Sequence, residues 1–270
     1  MVGLAEPVAK PAYRVPTMDE VRAIEPNGYS VVSTFSGAGG SCLGFRMAGY
    51  RALWASEFIE HAANTYAANA PDVPLDRRDI REIDPSEILE RVGLDVGALD
   101  VLEGSPPCAS FSASSMKLGH RGWGEEVAYS GKRQRVDDLF WEYARIRDGL
   151  RPRVFVAENV TGLARGVSRG YFKEILARLS EGYRVAARAL DAQWLGVPQA
   201  RQRIIFVGVR DDLDLEIGPA FPTPLPYRYT LAEAIADAGG GPVDPETGWP
   251  VSLDGYKIAP YYDRLRPGEG

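Results

Sequence analysis

The sequence predicts an α/β fold on a mostly parallel, doubly wound sheet, and three observations lead there. Short apolar runs of strand length alternate with helical patterns from Tyr29 to Arg210. A glycine-rich turn, Phe35-Ser-Gly-Ala-Gly-Gly40, follows the first run and opens a helix. Acidic and polar residues suited to chemistry recur at the ends of the runs, where open parallel sheets gather their ligands.

The elements follow in order. Tyr29–Phe35 reads as a buried strand and Cys42–Ala48 as a helix of small residues. A second strand covers Arg51–Glu57, with a helix from about Glu60 to Asn69. A third short segment ends at Asp79-Ile80, and a helix near Pro85–Val92 leads to a fourth strand, Leu99–Glu103. Ser112 to Arg135 is polar, rich in Gly and Ser, and without periodicity. A stretch of that length inside a domain predicts a functional lid or a structureless loop. Then come a helix (Asp137–Leu150), a strand (Arg153–Ala157), a helix (Tyr171–Glu181) and strands Tyr183–Leu190 and Arg203–Val209. Three regions result. Residues 1–28 are an extended, proline-containing lead-in, 29–210 the main domain, and 211–270 a proline-rich connector that begins an incomplete second region.

Composition narrows the function. The 270 residues are 45% apolar and 25% charged, enough for a sizeable core. No run approaches the ~20 apolar residues of a membrane helix, and the N-terminus lacks a secretory signal. Two cysteines, Cys42 and Cys108, cannot make a disulfide framework, and only two histidines are present, so no metal site is expected. A reducing, cytoplasmic setting is the simplest expectation. The net charge of −6 argues against nucleic acid by itself, but a local basic groove matters more. Lys132-Arg133-Gln134-Arg135 with Arg145, Arg147, Arg151 and Arg153 is either such a groove or a solvated helix face.

The glycines of the turn allow close backbone approach to a ligand. Glu57, ending the second strand, can accept from both ribose hydroxyls of an adenosine group. Asp79 is placed to accept from an adenine amino group. Between a nicotinamide dinucleotide and S-adenosylmethionine, the spacing of Gly37, Gly39, Gly40 and Gly44 fits the G-x-G-x-x-G fingerprint of the former poorly.

Ser105-Pro-Pro-Cys108 ends the fourth strand, and two prolines fix the direction of the thiol that follows. A lone cysteine is commonly a packing residue, as Cys42 is read, but a strand's carboxyl end favours a functional Cys108. In Arg153-Val-Phe-Val-Ala-Glu-Asn-Val160, Glu158 and Asn159 fall at the tip of the fifth strand, so a carboxylate and the thiol face one pocket. A Glu after apolar strand residues is seldom core, since a buried carboxylate is costly unless paired. Arg201 and Arg203, in Gln199-Ala-Arg-Gln-Arg203, are expected to face opposite ways, one toward the pocket and the other toward a phosphate.

With these residues in hand, the chain from about Tyr29 to Arg210 resembles the cytosine-C5 DNA methyltransferases. FSGAGG is similar to the family's cofactor loop, SPPC to its nucleophile motif, AENV to the motif that binds the cytosine edge, and QARQR to its Gln-x-Arg-x-Arg motif. The resemblance implies a Rossmann-like methyltransferase fold with an antiparallel last strand. It implies S-adenosylmethionine as cofactor, S-adenosylhomocysteine as product and double-stranded DNA as partner, with no membrane. Phe35, Ser36, Gly37, Gly39, Gly40, Glu57, Phe58, Asp79, Ile80 and Pro107 would bind the cofactor. Cys108 would be the nucleophile, Glu158 would hold the base, Asn159 would position the loop, Arg203 would contact the base O2, and Arg201 a phosphate or the catalytic loop. Ser112–Arg135 would close over the flipped base.

Two departures stand out. Ala109 replaces the glutamine the family usually has after the nucleophile. The family's target-recognition region and closing motif are not seen before Gly270, which leads to the expectation of a second polypeptide or a longer gene carrying them. A tRNA cytosine-C5 methyltransferase and a catalytically incomplete regulatory subunit are the alternatives. The biological role stays open among restriction–modification, phage protection and regulation.

Overall fold

The computed structural model describes residues 9–107, 126–129, 132–135, 139–164 and 169–235. Its helices are α1 (Met18–Arg22), α2 (Gly40–Met47), α3 (Glu60–Asn69), α4 (Pro85–Val92), α5 (Leu139–Leu150), α6 (Arg169–Leu179) and α7 (Leu231–Ile235). Its strands are β1 (Ser30–Thr34), β2 (Arg51–Ser56), β3 (Leu75–Asp76), β4 (Val101–Gly104), β5 (Glu126–Tyr129), β6 (Lys132–Arg135), β7 (Val154–Val160), β8 (Tyr183–Asp191) and β9 (Gln202–Arg210).

Seven strands form one sheet in the order β3-β2-β1-β4-β7-β9-β8. The pairs from β3 to β7 are parallel, while β9 runs antiparallel to both β7 and β8. The expected mostly parallel α/β sheet with an antiparallel last strand is therefore what the chain forms. Trp54 and Ala55 are successive on β2 and point to opposite faces. Trp54 joins the larger buried cluster, which holds Ile88 of α4, Tyr143 of α5, Ile175 of α6 and Phe155 of β7. Ala55 joins a second cluster with Cys42 of α2 and Tyr66 of α3. Helices cover both faces, so the strands are buried on both sides and read as continuous apolar runs.

The sequence explains the local starts and stops. Asp84 and Glu87 form a reciprocal capping box at α4, with Pro85 in its first turn and Gly93 in a left-handed conformation at its end. A similar box, Thr17 with Glu20, starts α1 inside the stretch expected to be only an extended lead-in.

Three other expectations need correction. The third strand ends at Asp76, not at Asp79-Ile80, because Asp79 accepts from Arg81 N and opens a short 3-10 turn over Ile80–Glu82. The Ser112–Arg135 stretch is not structureless throughout. β5 and β6 pair antiparallel across Ser130-Gly131, with Glu126 opposite Arg135, and the rest of that stretch lies outside the described residues. A two-residue interval containing Gly between short strands is a hairpin signal. Among the described arginines of the middle segment, Arg145, Arg147 and Arg153 are engaged by protein partners, while the side chains of Lys132–Arg135 lie outside the described residues. Arg147 is fully buried, donates to the carbonyls of Arg178 and Leu179 and pairs with Asp148. Arg145 donates to the carbonyls of Ile80 and Ile83, and Arg153 pairs with Asp100.

Candidate active site

A cavity of about 670 Å³ opens along the carboxyl edge of the parallel strands. Ligand sites commonly hold roughly 300–1,000 Å³. The sheet order lays its lining residues out in sequence. Asp79 and Ile80 follow β3, Glu57 and Phe58 follow β2, and Phe35, Ser36, Gly37 and Gly40 follow β1. Glu103, Gly104 and Pro107 come from β4 and its exit, Glu158 from β7, and Arg201 from the approach to β9.

The end near β2 and β3 carries two acceptor carboxylates, Glu57 and Asp79. Glu57 is nearly buried, and its two oxygens accept from the backbone N–H groups of Gly37 (2.8 Å) and Ile59 (2.7 Å). That fixes the carboxylate and leaves each oxygen a further lone pair. Asp79 is held by Arg81, whose guanidinium lies 2.9 Å away. Phe35 has φ of +51°, a left-handed conformation unusual for an aromatic residue, at the point where the chain leaves β1. A Cβ on Gly37 or Gly40 would meet no protein atom within 4 Å, so a side chain at either would project into the cavity instead of packing.

Gly39 is placed differently from its neighbours. It caps α2 with φ of +94°, and a Cβ there would come within 2.9 Å of the Tyr66 ring. It lies behind the turn and does not line this cavity.

At the other end, Glu158 pairs with Arg203, Nε to Oε1 at 2.6 Å. Arg201 lines the same cavity. The expectation that the two arginines face opposite ways is therefore wrong. Arg201 lies just before β9, which begins at Gln202, so strand alternation does not set its side relative to Arg203. Asn159 is buried and faces away from the cavity; its Nδ2 donates to Pro106 O at 3.1 Å and its Oδ1 accepts from Val160 N at 2.8 Å. It thus ties β7 to the loop that carries Pro107. Cys108 and Ala109 lie outside the described residues.

Glu103 is absent from the residues that the sequence pattern singles out. Its side chain is 2% exposed, yet it lines the cavity. It accepts from Ser33, whose Oγ is 2.6 Å from Ser36 Oγ, and from Ser41. Burial pushes its carboxyl up to about 7, against the pull of the Ser33 and Ser41 hydroxyls, with Glu158 adding repulsion. A signal for it exists in the sequence all the same. A Glu at the end of the run Leu99–Glu103 invites the same question as Glu158 does in its own strand.

Fold and cavity together place an open cleft at the carboxyl edge of a doubly wound sheet, where folds of this kind bind their ligands. Residues 29–253 match the family model for C-5 cytosine-specific DNA methylases. The chain is 33% identical over 252 residues to Type II methyltransferase M.DdeI of Desulfomicrobium norvegicum, covering 88% of this chain and 55% of that protein. It is 34% identical over 212 residues to Type II methyltransferase M1.HphI of Haemophilus parahaemolyticus, covering 76% and 51%. Among solved structures, one assigned as a DNA modification methyltransferase encoded within an E. coli prophage superposes with a TM-score of 0.64 at 27% identity, over 80% of this chain and 57% of that one. The chain belongs to the C-5 cytosine-specific DNA methylase family. It spans about half the length of the curated relatives it matches, and they lend no support to a second polypeptide. Among the described residues, no helix is long and apolar enough to cross a membrane.

Proposed function

We propose that the chain transfers a methyl group from S-adenosylmethionine to C5 of a flipped cytosine in double-stranded DNA, through a covalent bond between Cys108 and C6, with residues 29–210 as the catalytic and cofactor-binding domain. One observation carries the reading. A single cavity is lined by two fixed carboxylates suited to adenosine, Glu57 and Asp79, by Glu158, which is paired with Arg203, and by Pro107, the residue before Cys108. The printed names of the relatives, Type II methyltransferases, support restriction–modification as the setting.

S-adenosylmethionine supplies, when bound, an electrophilic methyl group on a positively charged sulfur and leaves as S-adenosylhomocysteine. Phe35 and Ile80 would wall the adenine, Glu57 would accept from the ribose hydroxyls and Asp79 from the adenine amino group. Ser36, Gly37, Gly40, Phe58 and Pro107 complete the lining, and Gly39 turns the loop into α2.

A cytosine ring is a poor carbon nucleophile and is hidden in the duplex, so it must first leave the stack. The Cys108 thiolate forms a bond to C6, and the displaced electron pair makes C5 an enamine carbon able to take the methyl. Glu158 holds N3 and the exocyclic amine, where charge develops. Arg203, already paired with Glu158, reaches O2, and Arg201 meets a phosphate or the closing loop. Water then takes the C5 proton, the C6–S bond breaks, and Cys108 leaves as thiolate. Asn159 acts through the backbone, holding the loop that aims the thiol.

The test is transfer of a labelled methyl group from S-adenosylmethionine to mixed-sequence duplex DNA, with tRNA as a parallel substrate. Transfer to DNA that disappears in Cys108→Ser is expected. Glu158→Gln should lower turnover by about 100-fold or more, the scale set by removing one charge-stabilising partner. Methylation of tRNA alone would move the chain to the RNA branch. Folded protein that binds S-adenosylmethionine but transfers nothing would favour a regulatory subunit, or dependence on sequence that its longer relatives carry.

A further inference from the structure

Glu103 is a cavity carboxyl that none of the steps above uses. On β4 it lies in register with Ser33 of β1 and Val156 of β7. Through Ser33, Ser36 and Ser41 it is fastened to the glycine-rich turn and the first turn of α2. The strand order places it between the two ends of the cavity. Glu57 and Asp79 stand on the β2 and β3 side, and Glu158 stands on β7. A methyl donor with its adenosine at the first end and its acceptor base at the second must carry its sulfur over β1 and β4.

We infer that Glu103 reads the charge on that sulfur: its carboxylate favours the cationic sulfonium donor over the neutral thioether product, and it takes up a proton when the thioether replaces the sulfonium. This rests on the S-adenosylmethionine reading of the cavity. Methyl transfer turns a cation into a neutral group beside a nearly buried carboxylate. An unpaired buried anion is costly, so a proton from solvent restores neutrality. No covalent bond at Glu103 is made or broken beyond that to the proton.

The tyrosines and the cysteine facing Glu103 do not compete near neutral pH. Tyr143 of α5 and Tyr66 of α3 are pushed up by burial, and Cys42 of α2 is pushed up to about 11 by burial. Glu158 of β7, in an ion pair with Arg203, is the acidic neighbour that adds repulsion to Glu103. Glu103, at about 7, is left as the group poised to respond.

The experiment is calorimetric binding of S-adenosylmethionine and of S-adenosylhomocysteine, from pH 6 to 8, in two buffers of different ionisation enthalpy. The intact wild-type chain should release protons on binding the sulfonium ligand and not on binding the thioether. Its preference for the sulfonium should grow with pH, by about tenfold for each unit by which the ligand lowers the Glu103 pKa. In Glu103→Gln the preference should lose that pH dependence and the difference in proton release should vanish. Equal proton release by the two ligands in the wild type would overturn the inference without recourse to a variant, and so would an unchanged pH profile in Glu103→Gln. Binding of both ligands with equal affinity at every pH would sink this inference alone. Binding of neither would sink the cofactor reading, and this with it.

Discussion

A carboxyl held near neutrality leaves a signature in stability as well as in binding. The native state keeps a proton on Glu103 up to about pH 7, whereas an unfolded glutamate releases it near 4.5. The unfolded chain therefore binds fewer protons through that window, and this group's contribution falls as pH rises. It is fully present below about 4.5 and lost by about 7. The two values differ by enough for an effect on the order of 3 kcal/mol. Asp76, Asp84 and Glu87 work the other way, with pKa values lowered and stability lost on acidification. Comparing Glu103→Gln with the wild type by urea unfolding cancels those shared terms. The variant should gain on the wild type steadily from pH 5 to 7. A constant difference across that range would mean that Glu103 titrates normally.

At the scale of single residues, much of the site is legible in the sequence alone. Glu57, Asp79, Phe35 and Glu158 sit at strand ends, and strand ends can be found from apolar runs. Glu103 also ends its run, Leu99–Glu103, but nothing in the pattern separates it from an ordinary last strand residue, and only the structure shows it buried in the cavity wall. The roles of Arg145, Arg147 and Arg153 do not follow from composition, because a row of charges does not reveal carbonyl acceptors from distant segments, such as Leu179 for Arg147. The shared facing of Arg201 and Arg203 is a different case. Arg201 precedes β9, which begins at Gln202, so its facing is set by the chain's path into the strand and not by strand alternation.

Elements show the same division. The parallel core of the sheet follows from strand–helix alternation, since a parallel neighbour needs a crossover. α1 and the β5–β6 hairpin do not emerge from that alternation, although short-range signals, a capping box and a Ser-Gly interval, are present. Their sequences are polar, and periodicity is blind to polar elements. Nor does alternation give how closely β7 and β9 pack. Gly208 of β9 faces Phe155 of β7 so closely that an added Cβ would fall 2.0 Å from the ring. That ring is fully buried and fenced by Tyr143 and Tyr183. Gly208→Ala should therefore destabilise the chain by about 1–3 kcal/mol, the usual range for overpacking. Phe155→Leu made together with it should cost less than the sum of the two changes, because the smaller side chain makes room. Strict additivity in a denaturant double-mutant cycle would show that the ring already swings clear.

For the whole molecule, the cavity matters because it is not owned by one element. Its lining comes from five strands' exits and from the segment before β9, so a ligand there touches most of the sheet's carboxyl edge. Anything that binds the native state and not the unfolded chain stabilises it by mass action, about 2.7 kcal/mol at a ligand concentration 100 times Kd. For a chain of this size that corresponds to a rise in Tm of roughly 5–10 °C. Saturating S-adenosylmethionine should produce such a shift. Glu57→Ala should abolish most of it, since that change removes both the ribose acceptor and the contacts that hold Gly37 and Ile59. Glu158→Gln should preserve it, because Glu158 stands at the base end of the cavity. The pair of variants separates a cofactor end from a base end within one cavity. A shift lost equally in both would mean that the cavity is a single undivided site, and the assignment of its two ends would have to be abandoned.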